Sequence, residues 1–315
     1  MMKGQLKSIV VKGIKFFVIL VLIDIVLGSA ARFVFFTQRS GKFYRMSHAF
    51  RQADGDVFIF GSSRSSHHYH PGILDKTLAI NSYNLGSQGQ QILYQSTVQK
   101  ILLQNRRPKL LILDISPDWL YKSQDAYDNL SELRPFWFRF PDIIGPVLSL
   151  QSKLQKIWLF SRSYQYNSTI VHILYYRIKP QGDLKGYVPL LHIMNSEDYR
   201  VQRGVDSIKF MSEQDREFDP AFETAFSDFL KTAVSKKIAV LMVCSPDIRF
   251  KMEGHNPSLQ KIMEIGKSYG IPLLDFTDDP YFAAHRELFN DTRHLNDLGA
   301  KIFSRRLCDR LRPYL

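Results

Sequence analysis

The 315-residue sequence predicts an α/β fold, a three-layer sandwich around a central parallel sheet. Three observations carry that expectation. Short runs of strand length are apolar on both faces, which suits the buried strands of a parallel sheet rather than a half-exposed antiparallel one. Longer segments with helical periodicity lie between those runs. The composition, 45% hydrophobic and 13% aromatic, is ample for a large core.

Taken in order, residues 1–15 are a lysine-rich leader with Lys3, Lys7, Lys12 and Lys15. Residues 16–36 are then almost wholly apolar, and roughly 20 residues suffice to cross a bilayer core. We therefore expect a single-pass transmembrane anchor at 16–36, with the N-terminus in the cytoplasm and everything after about residue 37 extracytoplasmic or periplasmic. Asp24 in mid-span and Arg32 near its end oppose this reading, a central charge costing about 3 kcal/mol on insertion scales. A signal peptide cleaved near Gly28-Ser29-Ala30-Ala31 and a buried helix of a soluble protein are the rival readings.

After a polar connector at 37–54, a domain spanning 55–315 begins. Its expected strands are VFIF (57–60), LAINSYN (78–84), KLLILDIS (109–116), KIAVLMVCS (237–245) and IPLLDF (271–276). Helical patterns follow at 91–105, 219–237, 257–270 and 296–311, the last with Asn296 placed as its N-cap. Between about 118 and 215 the rhythm breaks into an aromatic and basic insertion, including RPFWFRFPD (134–142) and an ordered loop at 180–190. A segment this long forms a lid, a substrate groove, a partner surface or a helical subdomain that only packs aromatics.

The formal charge of +12 and pI near 9.5 invite a nucleic-acid reading. Lys and Arg are nevertheless scattered with no dominant basic block, so the expected partners are a membrane lipid bilayer and a cell-envelope polymer, and no nucleic acid. Cys244 and Cys308 belong to no C-x-x-C pair, and no metal or cofactor is expected. Cys244 reads as a buried strand residue, with a disulfide to Cys308 left open.

Sites in parallel sheets form beyond the carboxyl ends of the strands. At the end of the first strand, Gly61-Ser62-Ser63-Arg64 is a turn that could present a serine hydroxyl, either Ser62 or Ser63. A serine needs a base, and Asp291-Thr292-Arg293-His294 before the last helix supplies a histidine with an orienting carboxylate three residues away. Asn84-Leu85-Gly86-Ser87-Gln88-Gly89 after the second strand offers glycines whose N–H groups could approach an oxyanion. His67, His68 and His70 tempt a metal assignment, but adjacent histidines point in different directions, and a surface or supporting role is expected. Arg64 is a candidate for holding an anionic substrate or a carboxylate, or an exposed arginine at a helix start.

The order of these motifs resembles that of the SGNH/GDSL hydrolase superfamily, whose sheet is of the flavodoxin-like kind. The resemblance implies Ser63 as nucleophile, Gly89 as oxyanion glycine, Asp291 as orienting acid and His294 as base. Ser116-Pro117-Asp118-Trp119-Leu120 after the third strand is similar to a segment of membrane-anchored proteins of the D-alanyl-lipoteichoic acid transfer type. That makes Asp118 and Trp119 candidate substrate contacts. The superfamily's third-block asparagine is missing; Ser116 or Asp118 stands at that strand end, and Ser116 is the candidate replacement donor. The implied activity is a membrane-anchored serine O-acyl esterase or acyltransferase acting on a cell-envelope glycan, with a membrane acyl-exporting protein as a partner. The alternative is a non-catalytic glycan-binding or envelope-assembly protein of the same fold.

Overall fold

The computed structural model describes residues 2–167, 169–212, 216–249 and 256–315. The chain divides into two compact units, one made of Met1–Tyr44 and Leu130–Gln181, the other of Arg45–Asn129 and Gly182–Leu315.

The larger unit holds the sheet. Its strands are β1 (Val57–Gly61), β2 (Ser82–Asn84), β3 (Leu110–Asp114), β4 (Ala239–Cys244) and β5 (Leu273–Asp275). They pair in the order β2-β1-β3-β4-β5, every pair parallel, with Val57 opposite both Ser82 and Leu110, and Leu110 opposite Ala239. All five expected strands form. The second is shorter than its apolar run, because the helix Pro71–Leu78 consumes the start of that run and ends at Ala79 in the left-handed conformation.

Alternation along the strands builds the layers, since successive side chains point to opposite faces. Val57, Ile59, Leu110, Ile112, Leu241 and Val243 share one apolar cluster with Tyr69, Leu74, Phe303 and Leu307. Phe60 points the other way and meets Phe229 edge-on at 5.2 Å, on the helix Pro220–Ser235. Gly266 of the helix Pro257–Ser268 lies so close to Met242 that a Cβ would collide with it. Helices thus cover both faces of the sheet. Asn296 caps the final helix, Asp297–Leu311, by accepting from Gly299 N–H at 3.0 Å. Cys244 and Cys308 are both buried free thiols, so the open disulfide question closes in the negative.

Segment 184–194 runs beside the sheet's second strand and the final loop: Lys185 C=O accepts from Asn84 N–H, and Met194 N–H donates to Phe289 C=O, both at 2.9 Å. The helix Ser196–Ser212 follows it.

In the smaller unit, one continuous helix runs Met2–Phe36. The expected anchor at 16–36 lies inside it, but no helix among the described residues is long and apolar enough to cross a membrane. This corrects the expected span. The polar Lys3 to Lys15 stretch occupies the first turns of the same helix, Asp24 interrupts the apolar run, and Gly28 to Arg32 dilutes its end. The end of this helix is packed by aromatics: Phe35 is fully buried against Phe43, Phe136 and Tyr166, each at 5.6 Å.

Candidate functional site

At the carboxyl end of β1 the chain turns at Gly61, whose φ is +150°. A Cβ there would lie 2.7 Å from Ser65 Cβ and 2.8 Å from Asp114 C=O, so the turn requires glycine both for conformation and for space. Ser62 occupies the N-cap position without a side-chain cap, and Ser63 opens the short helix Ser63–His68. Its N–H therefore has no intrahelical partner.

Ser63 Oγ lies 2.7 Å from His294 Nε2. The other ring nitrogen, Nδ1, lies 2.9 Å from both carboxylate oxygens of Asp291. This pairing sets the tautomer: Nδ1–H donates to Asp291, and Nε2 is left to accept from the serine hydroxyl. Asp291 also accepts from the backbone N–H groups of Arg293 (2.8 Å) and His294 (3.0 Å) and from the Asn290 amide (3.1 Å). Burial works to raise its pKa, but the hydrogen bond and charge of His294 together with these donors outweigh it and hold the carboxyl at about 2.

The loop carrying Asp291 and His294 is pinned from two sides. Gln202 and Asp206, on the helix Ser196–Ser212, accept from Thr292 N–H at 3.0 Å and Thr292 Oγ1 at 2.7 Å, and Asp206 pairs with Arg293 at 3.1 Å. From the other side, His68 Nε2 accepts from Leu295 N–H at 3.0 Å while its Nδ1–H donates to Ser245 Oγ at 2.9 Å. His67 Nδ1–H donates to Val188 C=O at 2.7 Å, and its Nε2 accepts from the Gln88 amide at 3.0 Å. Burial pulls His67 down to about 4 and His68 well below the usual imidazole value, so both are neutral near pH 7. Of the surface and supporting roles expected for these two, the supporting one holds, since both are buried. They fasten the loops around Ser63, one toward Gln88 and one toward the residue after His294. His70 caps the Pro71–Leu78 helix instead, accepting from Ile73 N–H at 3.2 Å. Among the described residues, no group of three or more His, Cys, Asp or Glu could hold a metal ion.

The segment after β2 is drawn against the serine turn. Ser87 N–H donates to Gly61 C=O at 3.0 Å, and Asn84 Nδ2 donates to Ser65 C=O at 2.7 Å. Gly89 adopts φ +73°, and its C=O accepts from Asn129 Nδ2 at 2.9 Å. Asn129, unnoticed in the sequence, thus stands beside the glycine segment, although it follows no G-x-N-D pattern.

Arg64 is not a substrate contact. Its side chain is 4% exposed and is held by Asp247 at 3.4 Å, Asp114 at 3.8 Å and the Ile115 carbonyl. Burial opposes its charge, yet Asp114 and Asp247 outweigh that and hold the guanidinium above its usual pKa. Arg249 closes the network on Asp247 at 2.8 Å. Trp119 is 2% exposed and belongs to the core, which removes it as a substrate contact. Ser116 sits half-buried past the end of β3, its C=O accepting from Trp119 N–H at 3.1 Å. Asp118 keeps 41% of its side chain exposed and lies 3.7 Å from Arg216. Part of the missed network had a visible signal, since β3 ends in Asp114 and Asp247 follows β4 in Ser245-Pro246-Asp247.

No family model and no curated protein matches the chain. Among solved structures, an acetyl xylan esterase is similar at 14% identity, covering 82% of this chain and 98% of its own, with a TM-score of 0.38. A GDSL-like lipase from Bacteroides thetaiotaomicron is similar at 12% identity over 82% of this chain and 88% of its own, with a TM-score of 0.35. Likenesses this distant do not place the chain in a family.

Proposed function

We propose that the chain is a serine O-acyl esterase or acyltransferase of the SGNH kind, with Ser63 as nucleophile, His294 as base and Asp291 as orienting acid. The observation that carries the proposal is the unbroken relay from Ser63 Oγ through both nitrogens of His294 to Asp291, at 2.7 and 2.9 Å, at the carboxyl end of the parallel sheet.

The chemistry follows from the tautomer. Ser63 Oγ attacks an acyl carbonyl as its proton passes to His294 Nε2, and Asp291 stabilises the resulting imidazolium. The tetrahedral oxyanion would take hydrogen bonds from the N–H groups of Ser63 and Gly89, with Ser116 or Asn129 as candidates for the donor that the missing asparagine would have supplied. His294 returns the proton to the departing alcohol oxygen, leaving an acyl-serine. Water or a sugar hydroxyl then attacks it, His294 again taking the proton, and Ser63 is restored.

The substrate class we propose is an acyl ester of a cell-envelope glycan, handled on the extracytoplasmic side, with a membrane acyl-exporting protein as donor partner where transfer rather than hydrolysis occurs. A fluorophosphonate probe tests the enzyme. The full chain should label stoichiometrically, Ser63→Ala should abolish labelling, and His294→Ala should slow it by at least about 100-fold. An unlabelled wild-type chain, with unchanged envelope acylation in a Ser63→Ala strain, would leave the non-catalytic glycan-binding alternative standing.

A further inference from the structure

Charge and exposed apolar surface are both concentrated in the smaller unit. Its 96 residues carry fourteen Lys and Arg against three acidic residues, a formal +11 of the chain's +12. Of the 38 large hydrophobic side chains that are exposed among the described residues, 27 lie in this unit, and 11 lie in the unit more than twice its size. Seventeen of the 27 are on the N-terminal helix, but ten come from the insertion.

Those ten are not scattered. On the helix Ile170–Ile178, Val171, Leu174, Tyr175 and Ile178 are exposed, at the i, i+3, i+4, i+7 spacing of one helix face, while Ile173 is buried. The apolar stripe therefore faces outward, the reverse of a water-facing helix. On and just after the helix Gln155–Trp158, Ile157, Trp158 and Phe160 are exposed as well, Phe160 at 72%. Lys153, Lys156, Arg162, Arg177 and Lys179 are exposed around them. The unit also fastens this segment to the N-terminal helix. Asp24 accepts from Ser161 Oγ at 2.7 Å, Arg162 N–H at 2.8 Å and Ser163 N–H at 3.1 Å, and Gly28 leaves room where a Cβ would collide with Arg162. The one acidic side chain in the apolar run is thereby satisfied by the protein itself.

We propose that the 150–179 face of the insertion is a lipid-docking surface that seats at the headgroup–acyl boundary of an anionic phospholipid membrane. An outward apolar stripe rimmed by Lys and Arg is the chemistry of an interfacial helix, which buries its apolar face about 5–10 Å into that boundary without crossing the bilayer. Charge decides among occupants. A second copy of the chain would bring +11 against +11, and a nucleic acid would give the apolar side chains nothing to pack against, whereas an anionic membrane satisfies both. The proposal does not depend on the acyl-transfer chemistry of Ser63.

Trp158, 44% exposed, is a built-in reporter. The full-length Trp137→Phe chain is mixed with vesicles of phosphatidylcholine and phosphatidylglycerol whose acyl chains are brominated near the headgroup, with Trp137→Phe/Trp158→Phe giving the background from buried Trp119. The expected result is quenching of Trp158 at least twofold above background. Phe160→Glu/Ile178→Glu should remove that quenching while the thermal melt is unchanged. Arg177→Gln and Lys179→Gln should each lower affinity for phosphatidylglycerol vesicles by about five-fold. Ser63→Ala should leave the quenching intact, separating this surface from the hydrolase reading. An unquenched Trp158 on vesicle-bound protein, or equal quenching in the double glutamate variant, would overturn the proposal.

Discussion

The backbone N–H of Leu295 donates to His68 Nε2 at 3.0 Å, which ties the residue after His294 to the same six-residue helix that opens with Ser63. The serine and the imidazole are thus held from one short element, although 231 positions separate them in the chain.

His68→Leu removes that acceptor and leaves a buried N–H unpaired. An unsatisfied buried donor costs about 1–3 kcal/mol, so thermal unfolding should shift by a comparable amount. Loosening the base should lower kcat on a chromogenic acyl ester by at least about tenfold while KM stays within about twofold. A His68→Leu chain with wild-type kcat would show that the Leu295 tether does not position the base.

Asp291→Asn preserves shape but reverses the hydrogen bond to His294, presenting the wrong tautomer to Ser63. A comparable substitution in a serine triad costs about 10⁴ in kcat, and a similar fall is expected here in the steady-state rate.

Asp291 also sets an acid limit. Its folded pKa of about 2 lies below the ordinary carboxyl value of 3.8, so its ionised form stabilises the fold fully above pH 4. That contribution, on the order of 2 kcal/mol, should be lost as pH falls from 4 towards 2. Urea titrations across this window should show a smaller pH slope in Asp291→Asn than in the wild-type chain.

Arg64→Met leaves Asp114 buried without its cation, while Asp247 keeps Arg249. Breaking such a pair costs about 3–5 kcal/mol, so a large drop in denaturant midpoint is expected. Were Arg64 instead a substrate contact, the variant would keep its stability and raise KM alone, and the two measurements distinguish the cases.

Gly61→Ala forces a Cβ into Ser65 and the Asp114 carbonyl at a φ that side chains rarely adopt. Strain of this kind costs on the order of 1–3 kcal/mol before the clash is counted, and both soluble yield and probe labelling of Ser63 should fall.

Much of the sheet was legible because burial on both faces writes itself locally as short, uninterrupted apolar runs, as in VFIF and KLLILD. The exception was the second strand, where Pro71 at the start of a helix competes for Leu78 and Ala79, and the helix wins. Trp119 was read as a substrate contact from the segment it sits in, and only the packing of the fold makes it a core residue. Arg64 and the two histidines carried open readings, and only the positions of Asp114, Asp247, Val188 and Ser245 select the carboxylate-holding role of the one and the supporting role of the others. The net charge was likewise visible from composition, but its confinement to one unit was not, because that unit joins residues 1–44 to 130–181 across a gap in sequence.

The sequence by itself determined the strand–helix alternation, the glycine turn before Ser63, the Asp291–His294 pair and the N-cap at Asn296, since each depends on contacts within a few residues. Only the tertiary structure decided that Ser63 and His294 meet, that the adjacent histidines brace loops from distant parts of the chain, and that the insertion turns its apolar stripe outward. Side-chain burial and long-range hydrogen bonds depend on what packs against a residue, and a linear pattern does not specify that neighbour.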